Sequence, residues 1–131
     1  MFLRKHWRAI CLSSLALVLA GFLVASFTIG RQVQGAVDFA QACHAGDPVT
    51  ALMAVAGSDQ HELRERNRSI WALGQLGDVE ALPLLESLVD ERECRHEERL
   101  CQRELAKAID LCSGAANIGA AVWRHGELAS R

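Results

Sequence analysis

The sequence has no tyrosine, and aromatic residues make up only 5% of it although half of its residues are hydrophobic. Strands are enriched in aromatic and β-branched residues, whereas this chain is rich in Ala, Leu, Glu and Arg. It also lacks a phosphate-binding loop, a dinucleotide fingerprint and any Ser/His/Asp or Cys/His grouping of the catalytic kind. The composition therefore predicts an all-α protein, and the missing motifs argue against an enzyme and against a bound cofactor.

The chain also lacks an excess of basic residues. Once Arg4, Lys5 and Arg8 are set aside, eleven of the fourteen basic residues remain against all sixteen acidic ones, which leaves a net charge near −5. A surface that binds nucleic acid needs a basic patch to neutralise phosphates. We therefore expect no nucleic-acid partner.

A stretch without any charged residue extends from Ala9 to Ile29. At about 1.5 Å per residue it covers roughly 30 Å, which is the thickness of the hydrocarbon core of a bilayer. Three basic residues precede the stretch and only Arg31 follows it closely, so the positive-inside rule places the N-terminus in the cytoplasm. A cleaved secretory signal is the alternative, but its apolar core is usually about 7–15 residues long.

The sequence accordingly predicts four segments. Residues 1–8 form a basic cytoplasmic N-terminus, 9–30 a transmembrane signal-anchor, 31–36 a short polar linker and 37–131 one small helical domain. This arrangement implies a single-pass protein of a bacterial inner membrane, with its C-terminal domain on the periplasmic or extracellular side.

Two apolar stripes at helical spacing flank a turn in the middle of the domain. Ile70 and Leu73 belong to the first stripe, and an apolar second helix follows the turn. Gly77 can end the first helix in the left-handed conformation, and Asp78 can cap the second. The same pair recurs as Gly46-Asp47, and a third break falls near Ser113, so the junctions repeat with the period of a helical solenoid.

The order Arg66, then Ala72-Leu73-Gly74, then Gly77-Asp78 and an apolar second helix resembles the bacterial HEAT-like repeats first described in phycobilin lyases. This resemblance implies stacked helical hairpins, because a single hairpin cannot bury both of its faces. We expect a short α-solenoid of about three HEAT-like hairpins, and we expect it to bind another protein rather than to catalyse a reaction.

Four cysteines follow the apolar stretch, on the exported side where disulfides form and persist. Cys101 and Cys112 lie on one predicted helix, about 16 Å apart by rise alone, so they cannot pair with each other. We favour a Cys94–Cys101 disulfide, which would close the charged loop between two helices. The pairing of Cys43 with Cys112 stays open.

Cys94, His96 and Cys101 also offer ligand types that suit zinc. Their spacing matches no familiar paired zinc knuckle, and an oxidising location favours a disulfide over thiolate ligation. A small periplasmic metal-binding or redox protein that uses these three residues is therefore the alternative function.

Candidate partner contacts are Arg64, Arg68 and Trp123. The two arginines form a basic cluster with Arg66 that could face an acidic partner, although salt bridges with neighbouring glutamates on the same helix explain it equally well. Trp123 could either cap the core or mark a docking patch, while Trp71 is expected in the core. The predicted function is a membrane-tethered protein-protein interaction module, an accessory subunit or scaffold beside a membrane complex. Its partner, binding face and oligomeric state remain open.

Overall fold

The computed structural model describes residues 2–90 and 98–128, and this part of the chain contains helices and no strand. The elements are α1 (Phe2–Cys43), α2 (Pro48–Gly57), α3 (Leu63–Leu76), a 3₁₀ turn (Val79–Ala81), α4 (Leu82–Ser87), α5 (Gln102–Cys112) and α6 (Ile118–Leu128). One long apolar N-terminal helix is followed by packed helical hairpins that fit a short solenoid. The predicted all-α fold class is confirmed.

The chain divides into two compact units. The first unit comprises residues 1–30 and 118–131, and the second comprises residues 31–117. Within the described residues, the first unit therefore holds the N-terminal part of α1 together with α6, and the second holds the end of α1 with α2 to α5. The sequence analysis predicts one domain over residues 37–131 with a third break near Ser113, whereas α6, which follows that break, belongs to the first unit.

Helix α1 continues through residues 31–36, which the sequence analysis treats as a linker. These residues are polar in part, but they include no helix breaker other than Gly35. The reason for the continuous helix is an apolar stripe at helical spacing that the polar neighbours conceal. Its members are buried within the second unit: Val33, Ala36, Val37 and Ala40.

The N-terminal part of α1 exposes its large apolar side chains, among them Leu12, Leu17 and Val24. By length and composition alone, α1 is the one helix among the described residues that is long and apolar enough to cross a membrane. Only 6% of its apolar window is buried. The described residues of the chain therefore do not cover these side chains.

Asp47 begins α2 as its N-cap. One carboxylate oxygen accepts hydrogen bonds from the backbone N–H groups of Val49 and Thr50, each at 3.1 Å, and the other accepts the Thr50 hydroxyl. The Thr50 hydroxyl first, and then its backbone N–H, stabilise the charged form and hold the pKa of Asp47 below its ordinary value of 3.8. Gly46 precedes this cap with φ +146°, a conformation that residues other than glycine rarely adopt.

The junction between α3 and α4 uses the same two residue types. Gly77 has φ +64°, and its N–H donates to Leu73 O at 2.9 Å, which ends α3. The Asp78 carboxylate then accepts the backbone N–H of Glu80 at 2.9 Å. The second helix starts as a 3₁₀ turn and becomes α4 at Leu82. Pro83 lies in the first turn of α4, where a backbone N–H has no partner within the helix, so proline there costs no hydrogen bond.

Helix α3 is central to the second unit because it packs against both α2 and α5. Its Ile70 and Leu73 are completely buried. A Cβ at Gly74 would lie 2.8 Å from Ala108 Cα and 3.0 Å from Ala108 Cβ, so α3 and α5 are too close at this point for any side chain at residue 74. The glycine of the Ala-Leu-Gly motif is therefore a packing requirement.

Candidate functional site

A pocket of about 530 Å³ lies between the end of α1 and the first part of α3, entirely within the second unit. We call it the α1–α3 groove. Helix α1 contributes Gln32, Ala36 and Phe39, and the other wall consists of Glu62, Arg64, Glu65, Arg68, Ser69 and Trp71. The groove thus combines two aromatic rings with two cations and two carboxylates.

Both arginines of the groove are exposed. Arg68 Nη2 donates to the backbone oxygen of Gln32 at 3.4 Å, and a Cβ at Gly35 would lie 2.9 Å from the same nitrogen. Glycine at position 35 therefore lets the guanidinium rest against α1. Within residues 2–90 and 98–128, neither Arg64 nor Arg68 forms an ion pair, so their charges are available to a ligand.

One carboxylate of the groove is already engaged. Glu65 lies 3.4 Å from Nδ1 of His61, one helical turn away. The Nε2 atoms of His61 and His44 are 2.9 Å apart, so a hydrogen bond joins the residue after α1 to the loop before α3. Phe39 stands edge-on to the His61 ring, with 6.1 Å between centroids. The histidine pair thus contacts two residues that line the groove, Glu65 and Phe39.

The geometry of the two rings favours this hydrogen bond over a shared metal ion. Their centroids lie 5.2 Å apart, which is the Nε2–Nε2 distance plus about one ring radius on each side. The two Nε2 atoms therefore point at each other along one line. Two metal ligands would instead both point at a third position, that of the metal ion. In the described part of the chain, no group of three or more His, Cys, Asp or Glu is arranged to hold a metal.

Trp71 occupies an intermediate position. Its neighbours Ile70 and Leu73 are completely buried, whereas Trp71 is half-buried and lines the groove. Residue 71 lies about 100° around the helix from residue 70, so its side chain faces the edge of the core. The sequence analysis expected Trp71 in the core, and its ring instead offers apolar area to the groove.

Arg66 differs from the two arginines beside it. Only 8% of it is exposed, its Nε donates to the backbone oxygen of Ala56 at 3.0 Å, and its guanidinium forms an ion pair with Asp59. These contacts connect α3 to the end of α2 and to the loop between them. The sequence analysis grouped Arg66 with a surface cluster, although its place at the start of the HEAT-like motif was the available signal.

Substitution of Arg66 by lysine is expected to lower the free energy of unfolding by about 1.5–3 kcal/mol, the range for a hydrogen bond to a charged group. Lysine carries a charge but lacks the planar fork that reaches Ala56 and Asp59 together. The exposed carboxylate of Asp59 adds little because solvent screens it. Hydrogen exchange of α3 in mild detergent measures the change, and Arg64→Lys, at an exposed position, is the matched control. Equal stability of the two variants would contradict a structural role for Arg66.

Trp123 lies in the first unit and is 4% exposed. A Cβ at Gly30 would be 2.9 Å from both Cβ and Cγ of Trp123, so the indole packs directly on the backbone of α1. Arg124 stacks over the same ring, with its Cζ 5.7 Å from the centroid. Of the two roles considered for Trp123, its burial fits packing.

The described residues include three of the four cysteines that follow the apolar stretch. Cys101 and Cys112 are buried at the two ends of α5, and Cys43 is exposed at the end of α1. The Cys112 thiol donates to Leu73 O at 3.5 Å. Cys94 and His96 lie outside the described residues, so the Cys94–Cys101 disulfide and the metal-binding alternative that adds His96 stay predictions.

One segment of the second unit matches a known family model. The family model of the PBS lyase HEAT-like repeat matches residues 65–91, which extend from α3 past the end of α4. No curated protein and no solved structure matches the chain. The matched unit forms most of one wall of the α1–α3 groove. Together with the helical architecture, this match supports a HEAT-like repeat protein, a class that is typically non-catalytic and generally mediates interactions between proteins.

Proposed function

We propose that the chain is a membrane-tethered protein-interaction module whose α1–α3 groove receives a segment of a partner protein. The observation that carries this proposal is the groove itself, which brings two arginines that form no ion pair within the described residues together with two aromatic rings. The HEAT-like match covers most of one of its walls. Tryptophan and arginine are the residue types that contribute most to protein interfaces. The module would act as an accessory subunit or scaffold, and binding there requires no chemistry.

The charges of the groove favour a partner segment that combines a carboxylate with an apolar side chain. Glu65 already interacts with His61, so among the residues that line the groove Glu62 is the one other carboxylate beside Arg64 and Arg68. A partner carboxylate can therefore bind the guanidinium groups in the geometry that arginine prefers. The Phe39 and Trp71 rings would then contact its apolar part.

The proposed tether is the N-terminal part of α1. Its exposed apolar side chains, its length and the basic residues before it support a membrane span over residues 9–30. The positive-inside rule supports a cytoplasmic N-terminus and a groove on the periplasmic or extracellular side of a bacterial inner membrane. A partner in or beside that membrane would meet the module at a raised effective concentration.

Charge reversal in the groove tests this proposal. The full-length protein is purified from native membranes in mild detergent, as the wild type and as the double variant Arg64→Glu/Arg68→Glu, and co-purifying proteins are quantified. We expect a stoichiometric partner of the wild type whose recovery falls about tenfold or more in the variant, since each tenfold change corresponds to about 1.4 kcal/mol. Arg103→Glu is the control because Arg103 is also exposed but lies on α5.

Two results would contradict the proposal. Recovery of the wild-type chain without any partner would argue against an interaction module. Retention of the partner by the groove variant, with its loss in Arg103→Glu, would move the binding site from the groove to the surface of α5.

A further inference from the structure

Helix α6 contacts α1 at one particular depth along the apolar stretch. Within the first unit, Trp123 packs on Gly30, which directly follows the last residue of that stretch, Ile29. Ser26 is 2% exposed and lies one helical turn before Gly30, so these two residues form a buried face of α1. The side chains of α1 between Ile10 and Val24 are exposed instead.

This contact fixes where α6 would lie relative to a bilayer. The uncharged stretch of α1 covers roughly 30 Å, so residues at its end reach the boundary between hydrocarbon and headgroups. Gly30 is at that boundary, and Arg31 follows it. Because Trp123 contacts Gly30, α6 would be held at the same depth, where tryptophan is enriched in membrane proteins.

The opposite face of α6 is apolar and partly exposed over residues 118–122. Ala120 and Trp123 are buried, and on a helix of 3.6 residues per turn the residues opposite them are Ile118, Ala121 and Val122. Ile118 is 73% exposed, Ala121 is exposed and Val122 is half-buried. An exposed isoleucine beside a second apolar residue costs free energy in water but gains it at a lipid surface.

We propose that α6 is an interfacial helix, whose face of Ile118, Ala121 and Val122 contacts the lipid bilayer beside the anchor. This inference rests on the proposed membrane tether and adds a second membrane contact to it. Arg124, stacked on the Trp123 ring, places its guanidinium at the depth of the lipid phosphates. The membrane would thus hold both ends of the described chain, and α6 would limit how far the first unit can tilt about a single span.

Photolabelling with lipid tests the proposal on the full-length protein. The chain is reconstituted into vesicles of phosphatidylcholine and phosphatidylglycerol that contain a phospholipid with a diazirine in its acyl chain. After irradiation, mass spectrometry locates the lipid adducts. We expect adducts on the apolar stretch of α1 and on residues 118–122, and we expect the α6 adducts to fall several-fold in Ile118→Glu, since a charge disfavours insertion. Ile118→Leu, which keeps the apolar side chain, should remain as strongly labelled as the wild type.

The outcomes separate this inference from the proposed tether. Adducts on α1 without adducts on α6 would overturn the interfacial helix and leave the tether intact. No adducts on either helix would overturn both. Equal labelling of α6 in Ile118→Glu and Ile118→Leu would contradict the assigned face, because the lipid contact would not depend on Ile118.

Discussion

Replacement of Gly74 by leucine is expected to separate α3 from α5 and to lower the free energy of unfolding of the second unit by about 3 kcal/mol or more, at or above the usual range for overpacking. A Cβ at this position would already lie 2.8 Å from the backbone of Ala108. The neighbouring atom belongs to the main chain, so no side-chain rotation can make room. The helices must move apart, and the buried contacts of Leu73 and Leu105 would open with them.

The matched control is Gly57→Leu. Gly57 is the last residue of α2, and a Cβ there would lie 3.2 Å from Cδ1 and 3.9 Å from Cδ2 of Leu84, at the end of a flexible side chain. Leucine is a better helix former than glycine, which costs about 0.8–1.0 kcal/mol relative to alanine in a helix interior and less at a helix end, so this variant should be close to the wild type or slightly more stable. Hydrogen exchange of the α3 and α5 amides in mild detergent measures both. If Gly74→Leu protected these amides as well as Gly57→Leu does, the close packing of α3 on α5 would be wrong.

The central hairpin was predictable because its determinants are local. The stripe of Ile70 and Leu73 identifies the buried face of α3, and the Gly77-Asp78 pair follows from rules that involve only a few neighbouring residues. The HEAT-like match covers this same segment. The all-α class follows from composition, since the chain offers few of the residues that strands require.

Other features depend on contacts between distant residues, and sequence patterns do not report these. The hydrogen bond between His44 and His61 joins two polar residues that look like ordinary loop positions in the sequence. The extension of α1 past Gly30 was missed because a polar composition concealed the Val33 stripe. The pairing of α6 with α1 depends on Gly30, whose small size has no local signature.

The α1–α3 groove was not predicted from the sequence, and contact of Arg64 and Arg68 with a partner stays a prediction. Arg64 and Arg68 were identified as candidate contacts from charge, and both line the pocket. The different role of Arg66 was found only in the structure, because the three arginines look equivalent in the sequence. On a helix, however, residue 66 lies about 200° around the axis from residues 64 and 68. Arg66 therefore turns inward to Ala56 O while its neighbours face solvent.

Leu73→Ala is expected to lower the free energy of unfolding of the second unit by about 2–5 kcal/mol, a large fraction of the roughly 5–15 kcal/mol of a typical domain. Leu73 is completely buried, and its backbone oxygen accepts from Gly77 N–H and from the Cys112 thiol, bonds that alanine would keep. The loss therefore measures side-chain packing alone. The control is Val79→Ala, at a position that is 64% exposed, which should change stability by less than about 0.5 kcal/mol.

In hydrogen exchange of Leu73→Ala, the amides of α2, α3 and α5 should lose protection together, because α3 packs against both neighbours and each hairpin of a short solenoid is stabilised by its interfaces. Faster exchange confined to α3 would mean that the hairpins are stable separately and that no continuous core supports the groove.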